Sequence, residues 1–194
     1  MADKSAHKAK TRARILDEAA SAIRTGGARE ISVAELMKRA GLTHGGFYAH
    51  FASRDDLVAH AVGRMFEDSS AMLSRHLGER PDGPGLASLI DYYLSERAFK
   101  RIEHGCPLPG LTGEAARLPP AARQRFEAGI DAFRRAIATA LESMGEAEPG
   151  ALASSVLAEL VGAMALARTM SDETEALALL ASSRVRLKER LGLG

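Results

Sequence analysis

The 194-residue sequence has one cysteine, no tryptophan and few aromatic residues, which make up 5% of the chain. A single cysteine excludes an intramolecular disulfide and a metal site built from several thiolates. The sequence also has no HExxH run and no glycine-rich phosphate loop following a strand, so it offers no zinc-protease or nucleotide-binding motif. Strand-like alternation of apolar and polar residues is absent, and we therefore predict an all-α fold.

A long hydrophobic run free of charge is also missing. The longest apolar stretch, residues 151–170, contains Glu159 and Arg168, which favours a buried helix over a membrane span. The first residues carry no apolar core of a secretory signal. From these two features we expect a cytoplasmic protein without a membrane partner.

Residues 32–51 have the sequence SVAELMKRAGLTHGGFYAHF, which predicts two short helices joined by a tight turn. Ser32 and Glu35 have the spacing of a capping box at the start of the first helix. Gly41 can adopt the left-handed conformation that ends it, and Thr43 is a favourable N-cap for the second. This is the helix-turn-helix plan, in which the second helix enters the DNA major groove. An ordinary helical hairpin is the alternative that the spacing leaves open.

The distribution of charge supports the DNA-binding interpretation, although the net charge is only +1. Residues 1–54 contain ten Lys/Arg and five Asp/Glu, whereas residues 55–194 contain sixteen and twenty. A basic segment joined to a mildly acidic one is typical of a DNA-binding head on a separate body. We therefore predict a helix-turn-helix domain over 1–54 and a helical ligand-binding and dimerisation domain over 55–194.

Four runs resemble the N-terminal domain of TetR-family transcriptional regulators: TRARILDEAA at 11–20, ISVAEL at 31–36, AGLTHGGFYAHF at 40–51 and SRDDL at 53–57. The resemblance implies a homodimer that binds a palindromic operator in double-stranded DNA. It assigns phosphate contacts to four residues of the head and a fifth at the start of the next helix: Ser32, Thr43, Tyr48, His50 and Arg54. Packing that holds the head together is the alternative role for Tyr48 and His50. It places three residues where base edges are reached: His44, Gly45 and Gly46. His44 and Arg54 are departures, since the family commonly has lysine or arginine at the first position and lysine at the second.

The resemblance also implies a helical body that holds a small-molecule inducer and pairs with a second copy. The predicted ligand-binding residues are Phe66, Tyr92, Tyr93, Cys106, Leu108, Phe126 and Met164. The predicted dimer-interface residues are Val156, Leu160, Met164, Leu177 and Leu180. Large apolar residues are more often plain core, and closing the core of the monomer is the alternative for the second set. No charge cluster in the body indicates the chemistry of the ligand.

Cys106 lies in the proline- and glycine-rich loop 105–110, shortly after Lys100, Arg101 and His104. Neighbouring cations lower the pKa of a thiol and favour the reactive thiolate. The run GCPL resembles a loop in a branch of TetR-like regulators, some of which sense electrophiles or oxidants. A small buried hydrophobe is the alternative role for Cys106.

The leading prediction is a transcriptional repressor, without a metal or cofactor, that a small-molecule or reactive inducer releases from its operator. One alternative is an architectural DNA binder without ligand control. A thiol enzyme using Cys106 with His104 as base is a further alternative. No third residue that would orient such a pair is evident, so we predict no catalytic residues.

Overall fold

The computed structural model describes residues 2–29, 31–78 and 81–194, with side chains from residue 5 onward. The described residues form helices and turns without strands, which confirms the all-α prediction. Short 3-10 segments lie at His44–Ala49, Ile102–His104 and Ala115–Arg117. The α-helices are α1 Ala2–Gly26, α2 Val33–Arg39, α3 Arg54–Leu77, α4 Gly83–Tyr93, α5 Glu96–Lys100, α6 Leu108–Leu111, α7 Pro120–Ser143, α8 Pro149–Thr169 and α9 Glu173–Arg190.

Side-chain caps fix several helix starts. The Ser53 hydroxyl accepts a hydrogen bond from the Asp56 amide at 3.0 Å, and α3 begins at Arg54, directly after this serine. The Asp172 carboxylate accepts from the Thr174 amide at 2.7 Å and from the Glu175 amide at 3.3 Å. The sequence predicts both caps, since Ser53 and Asp56, like Asp172 and Glu175, have the spacing of a capping box. Both are confirmed, and each satisfies amides that an α-helix leaves free at its N-terminus.

The sequence predicts one helix over 86–104, and this prediction is wrong. The structure has α4, which ends at Tyr93, then α5 and a short 3-10 turn. Ser95 causes the break, because its hydroxyl donates to the Tyr92 carbonyl at 2.7 Å and accepts from the Ala98 amide at 3.1 Å. One side chain therefore ends the first helix and caps the second. Residues 79 and 80, within the loop predicted at 78–85, lie outside the described residues.

Helix α3 is the central element of the chain. It packs against α1, α4 and α7, and the ion pair between Arg24 and Asp68 lies in its contact with α1. Helix α8 lies between α7 and α9. Because α3 extends through both halves, a change in its tilt relative to the body moves the head.

The α3–α7 packing depends on a glycine. Gly129 on α7 is buried, and a Cβ atom at this position would overlap the aromatic ring of Phe66 on α3. Gly129→Ala is expected to lower the free energy of unfolding by about 2 kcal/mol, because overpacking outweighs the gain in helix propensity. Urea denaturation of both proteins measures the difference.

Gly63→Ala is the matched control for Gly129→Ala. A Cβ on Gly63 would lie 3.0 Å from Nη1 of Arg125, the far end of a flexible side chain that can move aside. This variant is expected to be unchanged or more stable by up to about 1 kcal/mol. Equal stability of the two variants would contradict the packing argument.

Candidate nucleic-acid interface and ligand cavity

The first helix of the helix-turn-helix and the turn after it have the geometry that the sequence predicts. The Ser32 hydroxyl accepts from the Glu35 amide at 3.4 Å at the start of α2. Gly41 has φ +67°, a conformation that side-chain-bearing residues rarely adopt. The Leu42 amide then donates to the Met37 carbonyl at 2.8 Å and closes the helix. The capping serine and the closing glycine are both confirmed.

The second element differs from the predicted α-helix. Residues His44–Ala49 form a 3-10 helix, and the Thr43 side chain makes no capping hydrogen bond. The Gly46 amide donates to the Thr43 carbonyl at 3.0 Å, the tighter pattern of a 3-10 turn. Gly45 and Gly46 explain this, since two consecutive glycines weaken an α-helix by roughly 1 kcal/mol each.

Phe47 anchors this segment to the head while the residues around it face outward. The Phe47 and Phe51 rings are buried and stacked, with centroids 5.6 Å apart. Tyr48 is 69% exposed and rests its ring edge-on against Phe47. His44 and Gly45 are exposed, and a Cβ on Gly45 would meet no atom within 4 Å. No side chain therefore covers the outer surface at Gly45, and the exposed hydroxyl of Tyr48 lies on the same short segment.

Arg54 has a structural role that the sequence did not suggest. Its guanidinium donates to the carbonyls of Ala28 at 2.6 Å, Arg29 at 2.8 Å and Ile31 at 3.3 Å. These bonds tie the start of α3 to the connection between α1 and α2. The predicted phosphate contact of Arg54 remains a prediction beside this role.

His50 is partly buried, and its Nδ1 has no hydrogen-bond partner among the described residues. Burial lowers the pKa of His50, and the positive charges of Lys8 and Arg12 lower it further. Arg12 itself lies over the Phe51 ring, 4.8 Å from the centroid. A neutral imidazole can still hydrogen-bond a phosphate oxygen through its N–H, so the predicted contact of His50 does not depend on a positive charge.

A small cavity of about 40 Å³ that opens to solvent lies in the body between α3, α4, α8 and the loop before α6. Four predicted ligand-binding residues line it: Tyr92, Tyr93, Cys106 and Met164. Phe66 and Phe126 instead meet edge to face in the α3–α7 core, with centroids 5.5 Å apart, and Leu108 is buried. Those three do not line this cavity.

Cys106 is partly buried, and Arg101, His104 and Arg168 line the same cavity. Burial raises the pKa of the Cys106 thiol, and this effect exceeds the lowering by its polar neighbours, Arg168 among them. Lys100 is exposed and bound to Glu96 at 2.7 Å and Glu173 at 2.8 Å. Burial therefore opposes formation of the reactive thiolate, and the sensor role of Cys106 stays a prediction.

The predicted dimer-interface residues are buried within a single chain. Val156, Leu160, Met164 and Leu180 are each 2% exposed or less, and Leu177 is partly buried against the core. These side chains close the core of the monomer, which is the alternative that the sequence left open. The exposed surface of the last two helices consists of different residues.

Three charged residues important to the body were given no functional role from the sequence: Arg24, Asp68 and Arg168. Arg24 is buried and its guanidinium lies 2.8 Å from the Asp68 carboxylate. It also donates to the Glu103 carbonyl at 3.1 Å, which joins α1 to the body. Arg24 could have been found from its position four residues after Ala20 on the apolar stripe of α1, and Arg168 from its place in an apolar run.

The nine α-helices of the described residues define a class of protein. It has a helix-turn-helix domain, which contains α1 and α2, on an all-helical body. Residues 15–61 match the family model described as bacterial regulatory proteins, tetR family. No curated protein matches the chain by sequence. That match covers the helix-turn-helix and the segments on either side of it, from within α1 to the first turns of α3.

Solved structures share the fold over nearly the whole chain. A TetR transcriptional regulator from Chloroflexus aurantiacus is similar with a TM-score of 0.83 and 23% identity, covering 96% of each chain. A TetR-family regulator from Agrobacterium tumefaciens has a TM-score of 0.81 and 21% identity, covering 94% of this chain and 98% of that one. The reduced form of NemR from E. coli has a TM-score of 0.76 and 19% identity, covering 92% and 96%. At these identities the likeness concerns the fold alone.

Proposed function

We propose that the protein is a cytoplasmic homodimeric repressor that binds a palindromic operator and is released by a small molecule. The observation that carries this proposal is the open surface of the 3-10 segment, where His44, Gly45 and Tyr48 face outward from an anchored helix-turn-helix. A backbone without a side chain at Gly45 allows close approach to a base edge. Tyr48, Ser32 and Thr43 then supply hydroxyl groups for phosphate oxygens, which fix the orientation of the head.

The experiment that tests the proposal is selection of genomic fragments with the purified protein, followed by gel shift at two salt concentrations. We expect a palindrome whose half-sites lie about one helical turn apart, because two heads related by a two-fold axis read it. Binding to the selected site should persist at the higher salt concentration, where nonspecific DNA is released. Binding without sequence preference would favour the architectural alternative, and no binding would contradict the proposal.

The proposed homodimer is supported by the exposed face of the last two helices. Among the described residues, α8 is long and apolar enough to cross a membrane by length and composition alone. Only 39% of its most apolar 18-residue window is buried, so much of this apolar helix is not covered by the chain. Two large apolar side chains of these helices remain in solvent, Leu166 at 60% and Val185 at 49% exposure. The exposed residues of the same two helices include small ones, Ala151, Ser155, Ala158, Ala178 and Ser182, as well as the charged pair Arg186 and Glu189 near the end of α9. Small residues let two helix pairs approach closely, and this face replaces the one predicted from the sequence.

Ala158→Glu tests the dimer. A charge at the centre of the α8 face is expected to shift the protein from dimer to monomer at micromolar concentrations, because a buried unpaired carboxylate is unfavourable. Sedimentation velocity measures the mass. The control is Ala128→Glu, which adds the same charge at an exposed position of α7 and should stay dimeric. A dimeric Ala158→Glu would place the interface elsewhere.

Release by a small molecule is proposed to act through the body cavity and helix α3. A ligand that binds only a conformation whose two heads no longer match the spacing of the operator half-sites shifts the population away from the DNA-bound state. Membership of the GCPL branch and a reactive role for Cys106 are not needed for this mechanism, and the raised thiol pKa favours a non-covalent inducer. We propose no catalytic activity.

A further inference from the structure

The body cavity contains a cation without a matching negative charge. Arg168 on α8 is partly buried and donates from Nη2 to the Ala98 carbonyl at 3.0 Å. Its Nε is buried without a hydrogen-bond partner, and no carboxylate of the described residues lies within ion-pair distance of its guanidinium. Asp68, the acid in the cavity wall, is already bound by Arg24 and Arg64.

A second unsatisfied donor lies in the same cavity. Tyr93 is 3% exposed, and its hydroxyl has no conventional hydrogen-bond partner among the described residues. The Cys106 thiol lies beside it, and a thiol is only a weak hydrogen-bonding group. Burial raises the pKa of both groups, so each keeps its proton at neutral pH and can donate it. A buried polar group without a partner is costly, and an acceptor bound in the cavity would relieve that cost.

The rest of the cavity wall is mainly apolar. Met72, Ala98, Pro109 and Met164 contribute to it, while Arg101 and His104 are exposed and line it as well. Gly105 lets the loop approach Arg168, since a Cβ there would lie 2.7 Å from the Arg101 carbonyl oxygen and 3.3 Å from Nη2 of Arg168. The cavity thus combines one inner cation and one hydroxyl donor with walls suited to a hydrocarbon or aromatic body.

We propose that this cavity binds a small organic monocarboxylate, with its carboxylate on Arg168 and Tyr93 and its apolar part against the two methionines. The planar guanidinium matches a carboxylate, and bonds between charged groups are the stronger class of hydrogen bond. A single inner cation favours one negative charge over two. The identification of this ligand as the inducer rests on the proposed function, whereas binding itself does not.

The position of the site also indicates how occupancy reaches the head. Asp68 and His104 belong to the cavity wall, and Arg24 of α1 binds Asp68 and the carbonyl of Glu103, the residue before His104. A carboxylate on Arg168 therefore lies next to the contacts that hold α1 to the body. Ligand binding that displaces this wall changes the contacts that position the head.

The test uses the full-length protein without DNA and isothermal titration calorimetry with acetate, hexanoate and benzoate, each compared with its amide. We expect hexanoate or benzoate to bind at least ten times more tightly than the matching amide. Arg168→Gln should lose at least tenfold in carboxylate affinity, Arg168→Lys should retain part of it, and Tyr93→Phe should lose several-fold. Arg135→Gln, an exposed arginine on α7, is the control and should bind as the unmodified protein does.

Three results would overturn the proposal: no carboxylate binding, amides that bind as tightly as acids, or unchanged binding by a folded Arg168→Gln protein. The acid–amide comparison uses the unmodified protein, so the test stands even where a variant fails to fold. Operator binding by the empty protein is measured separately by gel shift. Carboxylate binding with no operator would overturn the proposed function alone, and an operator with no carboxylate binding would overturn this inference alone.

Discussion

Replacing Gly45 with glutamate is expected to weaken operator binding by roughly 100-fold, about tenfold for each head of the dimer. Gly45 is exposed in the 3-10 segment, and a Cβ atom there would meet no neighbouring atom within 4 Å. The fold should therefore tolerate the change. In the complex, however, each head would bring a carboxylate close to the phosphates of DNA. Attraction between positive groups of a protein and these phosphates normally provides much of the affinity, so the added negative charge lowers it.

Fluorescence anisotropy with the selected operator, at a fixed salt concentration, measures this loss. Ala128→Glu is the matched control, because it adds the same charge to α7 in the body and should keep its affinity. Thermal unfolding of both variants separates a binding defect from a folding defect. Unchanged operator affinity of a folded Gly45→Glu protein would show that the 3-10 segment does not face the DNA.

Local signals in the sequence were sufficient to predict most of the head. Ser32, Gly41 and Ser53 act within a few residues of their own position, through a cap, a left-handed turn and another cap. The break at Ser95 is local too, but serine also occurs inside helices, and the apolar periodicity continues past it. The 3-10 form of residues 44–49 was not predicted, because glycine weakens an α-helix without specifying what replaces it.

The body was harder to predict because its contacts join residues distant in sequence. Helix α8 is apolar around much of its circumference, with a mean hydropathy of 1.7 over its most apolar window. Periodicity therefore could not show which face is core and which is exposed, and the predicted interface fell on the core face. Tyr92, Tyr93, Cys106 and Met164 were assigned to a pocket by family resemblance and do line a cavity.

The chemistry of that cavity was not visible in the sequence. The sequence shows no cluster of charged residues that are neighbours along the chain of the body. A charge can still have close neighbours in space. In the structure, Arg168 of α8 lies beside the α5 residue Ala98 and the loop residue Cys106. A charge whose neighbours are 60 or more positions away leaves no local pattern, and only its presence in an apolar run marks it.

Asp68→Asn is expected to lower the free energy of unfolding by about 3 kcal/mol, because it leaves a buried cation without its counter-charge. The side chain of Arg24 is 3% exposed, whereas that of Asp68 is 31% exposed. Without the carboxylate, Arg24 would keep only the carbonyls of Glu103 at 3.1 Å and Met65 at 3.4 Å. Urea denaturation followed by circular dichroism measures the change, and Asp131→Asn, in an exposed pair with Arg134, should alter stability by less than about 0.5 kcal/mol.

Arg24→Met should cost less than Asp68→Asn, about 1–2 kcal/mol, since the remaining carboxylate reaches solvent and still binds Arg64. The double variant Arg24→Met/Asp68→Asn should then be more stable than Asp68→Asn alone, because the uncompensated cation is gone. A double variant less stable than either single one would show that the pair acts independently of its charge. The predicted rescue would instead show that the cost of Asp68→Asn comes from the uncompensated charge of Arg24 in the contact between α1 and α3.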